Sequence, residues 1–463
     1  MHLSTAVGSL LLGTAFGTPA SRNAANHVTE RGLVGGLVGG LVGGLEAFVS
    51  NVEDLLEGVT NATGILNILE NIEPKGTPTN VVQVSSTLQA IYSTTSTSFW
   101  VDVGVQIEAG LVPDSIIQTV PGLDTGANSE VNDNIKEPES SIYPQKDKSD
   151  AAYSLSEEQL RQVIHIPEDF TYGSKPPTIF VPGTGSYGGN TFGPNLRKLL
   201  TGVDYADPVW LNIPGAMLND TQANAEYIAY AINYISGISQ NSNVSIISWS
   251  QGGLDTQWAF TFWPSTRSVV SDFLPVSPDF HGTINAYLLC LNTDDTPGLN
   301  PCAPAVLQQD YDSDYVSTLR ASGGASAYVP TTTFYSSLID EIVQPQQGTG
   351  ASAYLLDDRD VGVSNNDLQD VCAGHLGGTF YGHAGALYSP LTYALIVDAL
   401  THDGPGDVSR LDSIADVCAP YSAPGLDLVD VLETAGLIVT AALQILAYPE
   451  KVTVEPPLMS YAD

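Results

Sequence analysis

Between residues 244 and 262 a strand, a sharp turn and a helix are written in succession. Val244-Ser245-Ile246-Ile247-Ser248 is a short run of strand character, residues 253–262 keep helical spacing, and Trp249-Ser250-Gln251-Gly252-Gly253 joins them. Such a join leaves a chain few options. A strand that turns at once into a helix feeds a crossover, and repeated crossovers build a mostly parallel sheet. From about residue 150 onward the pattern recurs. Thr178-Ile179-Phe180-Val181 reads as a strand ending at Pro182-Gly183, Thr221–Ile235 as a helix with Asp220 as N-cap, and Thr331–Leu338 as a late strand.

The turn also carries chemistry. A serine hydroxyl is a poor nucleophile unless it is held exposed, with a base beside it. Gly252 and Gly253 let the strand and helix around Ser250 pack closely, and the helix N-terminus lends positive potential to a developing oxyanion. Ser248 stands where the first glycine of G-x-S-x-G is common. The expected fold is therefore an α/β-hydrolase: a mostly parallel central sheet flanked by helices. That fold orders its triad as Ser, acid, His. Three histidines are available. His383 lies in Tyr381-Gly382-His383-Ala384-Gly385, where small neighbours leave the ring room; His375 in Gly374-His375-Leu376-Gly377 competes; His402 sits in a polar turn. The late strand delivers Asp340 just past its end, with Glu341 as a substitute next door. Oxyanion donors would be the backbone N–H of Gln251 and the loop Val181-Pro182-Gly183-Thr184-Gly185, where Thr184 adds a hydroxyl.

Among the 463 residues are 15 Lys+Arg against 51 Asp+Glu, a net charge of −36, which repels phosphate backbones and excludes a nucleic-acid role. Ala6–Phe16 is apolar and Thr18-Pro19-Ala20 resembles a cleavage site, so residues 1–20 are expected to be a signal peptide and the protein secreted. Sequons at Asn61, Asn219 and Asn243 agree with glycosylation on that route. Cys290, Cys302, Cys372 and Cys418 lack metal spacing and suit two disulfides. No metal, cofactor or stable protein partner is expected, nor a transmembrane helix after the signal.

Residues 21–125 read as a mainly helical or irregular N-terminal extension, a pro-region or accessory segment. Within it, LVGG occurs three times over 33–44, and its paired glycines favour a loosely ordered stretch over a helix. Phe48, Val52, Leu55, Leu56 and Val59 form a helical stripe, and residues 80–125 mix helical and strand signals. Residues 126–150 are polar and read as an exposed linker to a catalytic domain over 151–463.

Taken together, the segments of this domain resemble the Candida antarctica lipase B family of fungal lipases. The matches run in order: Val181–Gly185, Met217-Leu218-Asn219-Asp220-Thr221-Gln222, Trp249–Leu254, Pro278-Asp279-Phe280-His281-Gly282-Thr283, Asp340-Glu341-Ile342-Val343-Gln344-Pro345, His383-Ala384-Gly385, then Leu458-Met459 and Tyr461-Ala462. They span about 175–463. The resemblance implies a triad of Ser250, Asp340 and His383 and an oxyanion hole from Thr184 and Gln251. It places Trp249 on the alcohol side of the ester pocket, and Asp279 with Gln308 or Gln309 on the acyl side. Cys372 and Cys418 match a family disulfide; Cys290 and Cys302 bracket a region like the family's small lid and are expected to pair. Two departures stand out: Ser337-Leu338-Ile339 is one residue longer than the family pattern before the acid, and no cysteine precedes residue 290. The expected function is a secreted serine lipase or carboxylesterase acting on lipid or ester substrates at an oil–water interface. The rival is a surface or cell-wall binding protein on a catalytically dead hydrolase scaffold.

Overall fold

The strand Val244–Trp249 is the middle member of a seven-stranded sheet. A computed structural model of the chain describes residues 38–93, 98–113, 123–290, 301–338 and 340–463. The expected signal peptide and residues 33–37 of the LVGG repeats lie outside the described residues. In chain order the strands are β1 (Ile164–His165), β2 (Pro177–Val181), β3 (Asp207–Leu211), β4 (Val244–Trp249), β5 (Val270–Val276), β6 (Thr331–Tyr335) and β7 (Val363–Asp367). Their spatial order is β1-β3-β2-β4-β5-β6-β7; β1 is antiparallel to β3 and every other pairing is parallel. β2, β3 and β4 are buried along their whole length, as strands covered on both faces must be.

Side chains alternate between the two faces of this sheet. Ile179 and Val181 pack into one core with Val209 and Ile246; Phe180 enters the other with Trp210, Ile247 and Trp249. The longer helices are α1 (Val38–Leu56), α2 (Ala62–Leu69), α3 (Val81–Ser93), α4 (Phe99–Glu108), α5 (Thr221–Ile238), α6 (Gln251–Phe262), α7 (Pro390–Thr401), α8 (Leu428–Ala435) and α9 (Leu437–Ala447). α5 starts where its cap directs: the Asp220 carboxylate accepts the N–H of Gln222 at 2.9 Å. α7 starts on Pro390, with Ser389 capping Thr392. The late strand stops at Tyr335, short of the expected Leu338.

The N-terminal extension is a helical layer that shares a core with the elements around the sheet. Leu45, Val49 and Val52 of α1 are buried while Leu55, a member of the expected stripe, is 46% exposed. The inward face is thus rotated by a residue, and α4 approaches α1 at Gly104, where a Cβ would stand 2.6 Å from Val52 Cγ1. α4 shows no period in sequence because nearly all of it is inside: Trp100, Val101 and Val103–Glu108 are buried. Buried Glu108 is answered by Lys75 and by Asn51 Nδ2, the latter at 2.9 Å. α9 packs on α2 and α4, and α8 on α3.

Two expectations for this region need correction. The backbone over 38–44, the latter part of the LVGG repeats, belongs to helix α1 rather than to a loosely ordered stretch. The expected linker over 126–150 has many exposed side chains, but it is a strap tied along the sheet and its helices. The carbonyl of Ala127 accepts Trp210 Nε1 at 2.6 Å, and that of Lys136 accepts the Tyr234 hydroxyl at 2.7 Å. Glu130 takes the Tyr187 hydroxyl and the N–H of Gly215, at 2.7 and 2.9 Å. Polar composition was the signal for a linker; here the polar groups are themselves the attachment.

Disulfides join Cys290 to Cys302 and Cys372 to Cys418. Among the described residues Leu428–Ala447 is the one helical stretch long and apolar enough to cross a membrane; most of it is buried inside the fold as α8 and α9.

Candidate active site

Ser250 stands at the C-terminal end of β4 with φ 55° and ψ −133°, a strained backbone for a residue with a side chain. The strain is held in place by close packing. A Cβ on Gly252 would lie 2.4 Å from the Pro182 carbonyl oxygen, and one on Gly183 would lie 2.8 Å from Ser250 Cβ. Both positions therefore need glycine. Gln251 opens α6, so its backbone N–H belongs to the first helical turn, which has no intrahelical acceptors.

His383 comes from the loop before α7. Its Nε2 is 2.8 Å from Ser250 Oγ, and its Nδ1 is 3.0 and 2.9 Å from the two Asp340 oxygens. Asp340 Oδ1 also accepts the N–H groups of Ile342 and Val343 at 3.0 and 2.8 Å, which fixes the carboxylate after the extra residue in its loop. The His383 carbonyl accepts from the Ser277 hydroxyl at 3.0 Å and from Trp249 Nε1 at 3.3 Å. His375 and His402 lie elsewhere; His402 pairs with Asp398 at the end of α7. Glu341 does not replace Asp340: its carboxylate accepts the His383 main-chain N–H at 2.8 Å.

The electrostatics are those of several acids around one ring. Burial alone would depress the imidazole, but Asp340, Glu341 and Asp279 outweigh it and raise the basicity of His383. Asp279 is fully buried, and neither of its carboxyl oxygens has a hydrogen-bond partner among the described residues. Burial pushes it up to about 7. Burial, together with Asp340, likewise pushes Glu341 up to about 7.

Thr184 is half-buried across from the serine. Its hydroxyl donates to Gln251 Oε1 at 2.7 Å, with Gln309 Oε1 at 3.0 Å as the alternative acceptor. Gln309 is on the cavity wall, whereas Gln308 is engaged elsewhere, accepting the N–H of Thr221 at 2.8 Å and donating to Asp220 at 2.7 Å. A cavity opens over Ser250 and His383. Its walls include Trp249, Thr184, Val306, Leu289 and Ile342, and Ile438, Ala441 and Ile445 of α9. It is overwhelmingly apolar, with the polar groups gathered at the serine. Phe99, the first residue of α4, also lines it. Sequence reasoning missed Phe99, because an aromatic in an apolar run without period carries no mark of which neighbour it faces.

Lipase B of Pseudozyma antarctica is 38% identical to this chain over 289 residues, 62% of this chain and 79% of that protein. The crystal structure of Aspergillus fumigatus lipase B matches it with a TM-score of 0.80 and 46% identity, covering 90% of this chain and 100% of that one. No family model matches the chain.

Proposed function

Because the chain belongs to the Candida (Pseudozyma) antarctica lipase B-like family of ester-hydrolysing fungal lipases, we propose that it is a secreted serine lipase or carboxylesterase working through Ser250, His383 and Asp340. The observation that carries this reading is the unbroken run of contacts from Ser250 Oγ to His383 Nε2 at 2.8 Å and from His383 Nδ1 to Asp340 Oδ2 at 2.9 Å, at the foot of an apolar cavity.

In this mechanism Ser250 Oγ attacks the ester carbonyl while His383 takes its proton. Asp340 orients the ring and stabilises its charged form. The tetrahedral oxyanion is held by the Gln251 backbone N–H and by Thr184, whose hydroxyl turns from Gln251 toward the new charge. The C–O bond to the alcohol breaks as His383 protonates the departing oxygen. Water, deprotonated by His383, then attacks the acyl-enzyme and releases the acid and Ser250. Acyl transfer of this kind calls for no metal or cofactor.

Trp249 lies on the alcohol side of the pocket, and Asp279 and Gln309 on the acyl side. Gln308, tied to the start of α5, is left out of substrate contact. The substrate is a lipid or other ester met at an oil–water interface. Two disulfides and the exposed positions of Asn61, Asn219 and Asn243 support secretion and glycosylation. The domain reading becomes a catalytic unit from about residue 151, a strap over 126–150, and an accessory helical layer before it that forms part of the pocket wall.

Hydrolysis of short- and long-chain p-nitrophenyl esters tests the proposal. Turnover of both is expected, with longer chains favoured by the apolar cavity. A folded protein that hydrolyses neither would revive the dead-scaffold reading, and activity on acetate alone would make it an esterase for small soluble esters.

A further inference from the structure

Glu341 follows Asp340 directly, yet it faces a different part of the same histidine. Asp340 holds the ring, while Glu341 Oε2 accepts the main-chain N–H of His383 at 2.8 Å. Gly382 lies so close that a Cβ there would stand 3.0 Å from each Glu341 oxygen. The carboxyl is packed against the loop that carries His383. On its other side it meets the N-terminal layer. The Tyr92 hydroxyl of α3 faces Glu341, whose charge raises the phenol further above its ordinary value, and accepts Gln106 Nε2 of α4 at 2.8 Å. The Tyr92 ring also stacks on Phe380 of the same loop, with centroids 6.1 Å apart. A small cavity between Leu88, Gln106, Glu341 and Gly382 marks this seam between the N-terminal layer and the catalytic domain.

We propose that Glu341 is a positioning residue for His383, and that Tyr92 of the N-terminal layer holds Glu341 to that task. The inference rests on the reading of His383 as general base. It makes the N-terminal layer a support of the catalytic loop as well as a wall of the pocket.

The charges around Glu341 give the inference a sign. Asp340 and His383 face it from the catalytic loops, and Tyr92 and Tyr388 from the elements packed on them; Asp102 acts on Tyr92, and Asp279 on His383. With Glu341 raised to about 7, it changes charge within the working range. Its negative form favours protonated His383. Removing that charge lowers the pH at which His383 becomes a free base.

The test is the pH profile of kcat/KM on a soluble short-chain ester. Glu341→Gln keeps an acceptor for the His383 N–H but loses the charge, so the acid limb moves down by roughly half to one pH unit while the plateau kcat is kept. Glu341→Leu loses the acceptor too, and kcat falls about tenfold or more with KM little changed. Tyr92→Phe removes the hydroxyl facing the ionised carboxylate, so its limb moves the same way, and it adds nothing in the Glu341→Gln background. An acid limb unmoved in Glu341→Gln, or a Tyr92→Phe shift that persists in that background, would overturn the inference. If Glu341→Gln does not fold, an unmoved limb in Tyr92→Phe does so alone. His383→Ala separates the two readings: if it stays active, the general-base reading falls; if it is inactive and the limbs do not move, only Glu341's role is wrong.

Discussion

Asp279 is a carboxyl buried at a cost. Its side chain is fully buried, neither carboxyl oxygen has a hydrogen-bond partner among the described residues, and burial lifts the carboxyl to about 7. An unfolded chain would lose that proton near 4. Between those values the folded protein binds more protons than the unfolded one, so this residue makes stability fall as pH rises from about 4 to 7. Asp279→Asn removes the titration. Thermal unfolding at pH 5 and pH 8 should show wild type losing Tm toward pH 8 and the variant losing less, on the order of 2 °C for each kcal/mol recovered. Equal losses would mean Asp279 is not held neutral. Gly183 and Gly252 were legible in the sequence because steric need restricts their type: a Cβ on either would meet backbone or the serine itself. The choice among His375, His383 and His402 was not legible from the residues alone, since only the fold decides which ring reaches Ser250.

The helices divide in the same way. α5 and α6 carry caps and glycines that announce them, and Asp220 caps α5 as its position suggests. α4 could not be read, because a helix buried nearly all round has no polar face to give it a period. The strap over 126–150 was misread for the opposite reason: its contacts are polar, and polarity in sequence does not tell hydrogen bonds to protein from hydrogen bonds to water. The element-scale prediction concerns α4. Phe99 lines the cavity, so Phe99→Ala should enlarge it and raise kcat/KM for long-chain or bulky esters relative to short ones. A pocket change of this size is worth about 1–3 kcal/mol of discrimination, roughly tenfold or more in the ratio. An unchanged ratio of kcat/KM values would show that α4 covers the domain without shaping substrate choice.

At the scale of the whole molecule, the chain combines an α/β-hydrolase sheet with a helical layer seated on the α8–α9 side of the pocket. The sheet and its site were readable because their motifs occur in a fixed chain order with strand–turn–helix context. The layer has no motif of that kind; its role follows from packing between segments far apart in sequence. The net charge of −36 over the whole chain adds a self-repulsion that acidification relieves, in the same direction as the buried carboxyls. The central claim is that all the ester chemistry passes through Ser250. Labelling the folded protein with a fluorophosphonate and locating the adduct by peptide mass spectrometry tests it most directly. One adduct is expected, on Ser250, with activity lost in step with labelling, and no adduct or turnover in Ser250→Ala beyond the residual acceleration of about 10³–10⁴ over water. Full esterase activity in Ser250→Ala, or an inactivating adduct on another residue, would contradict it.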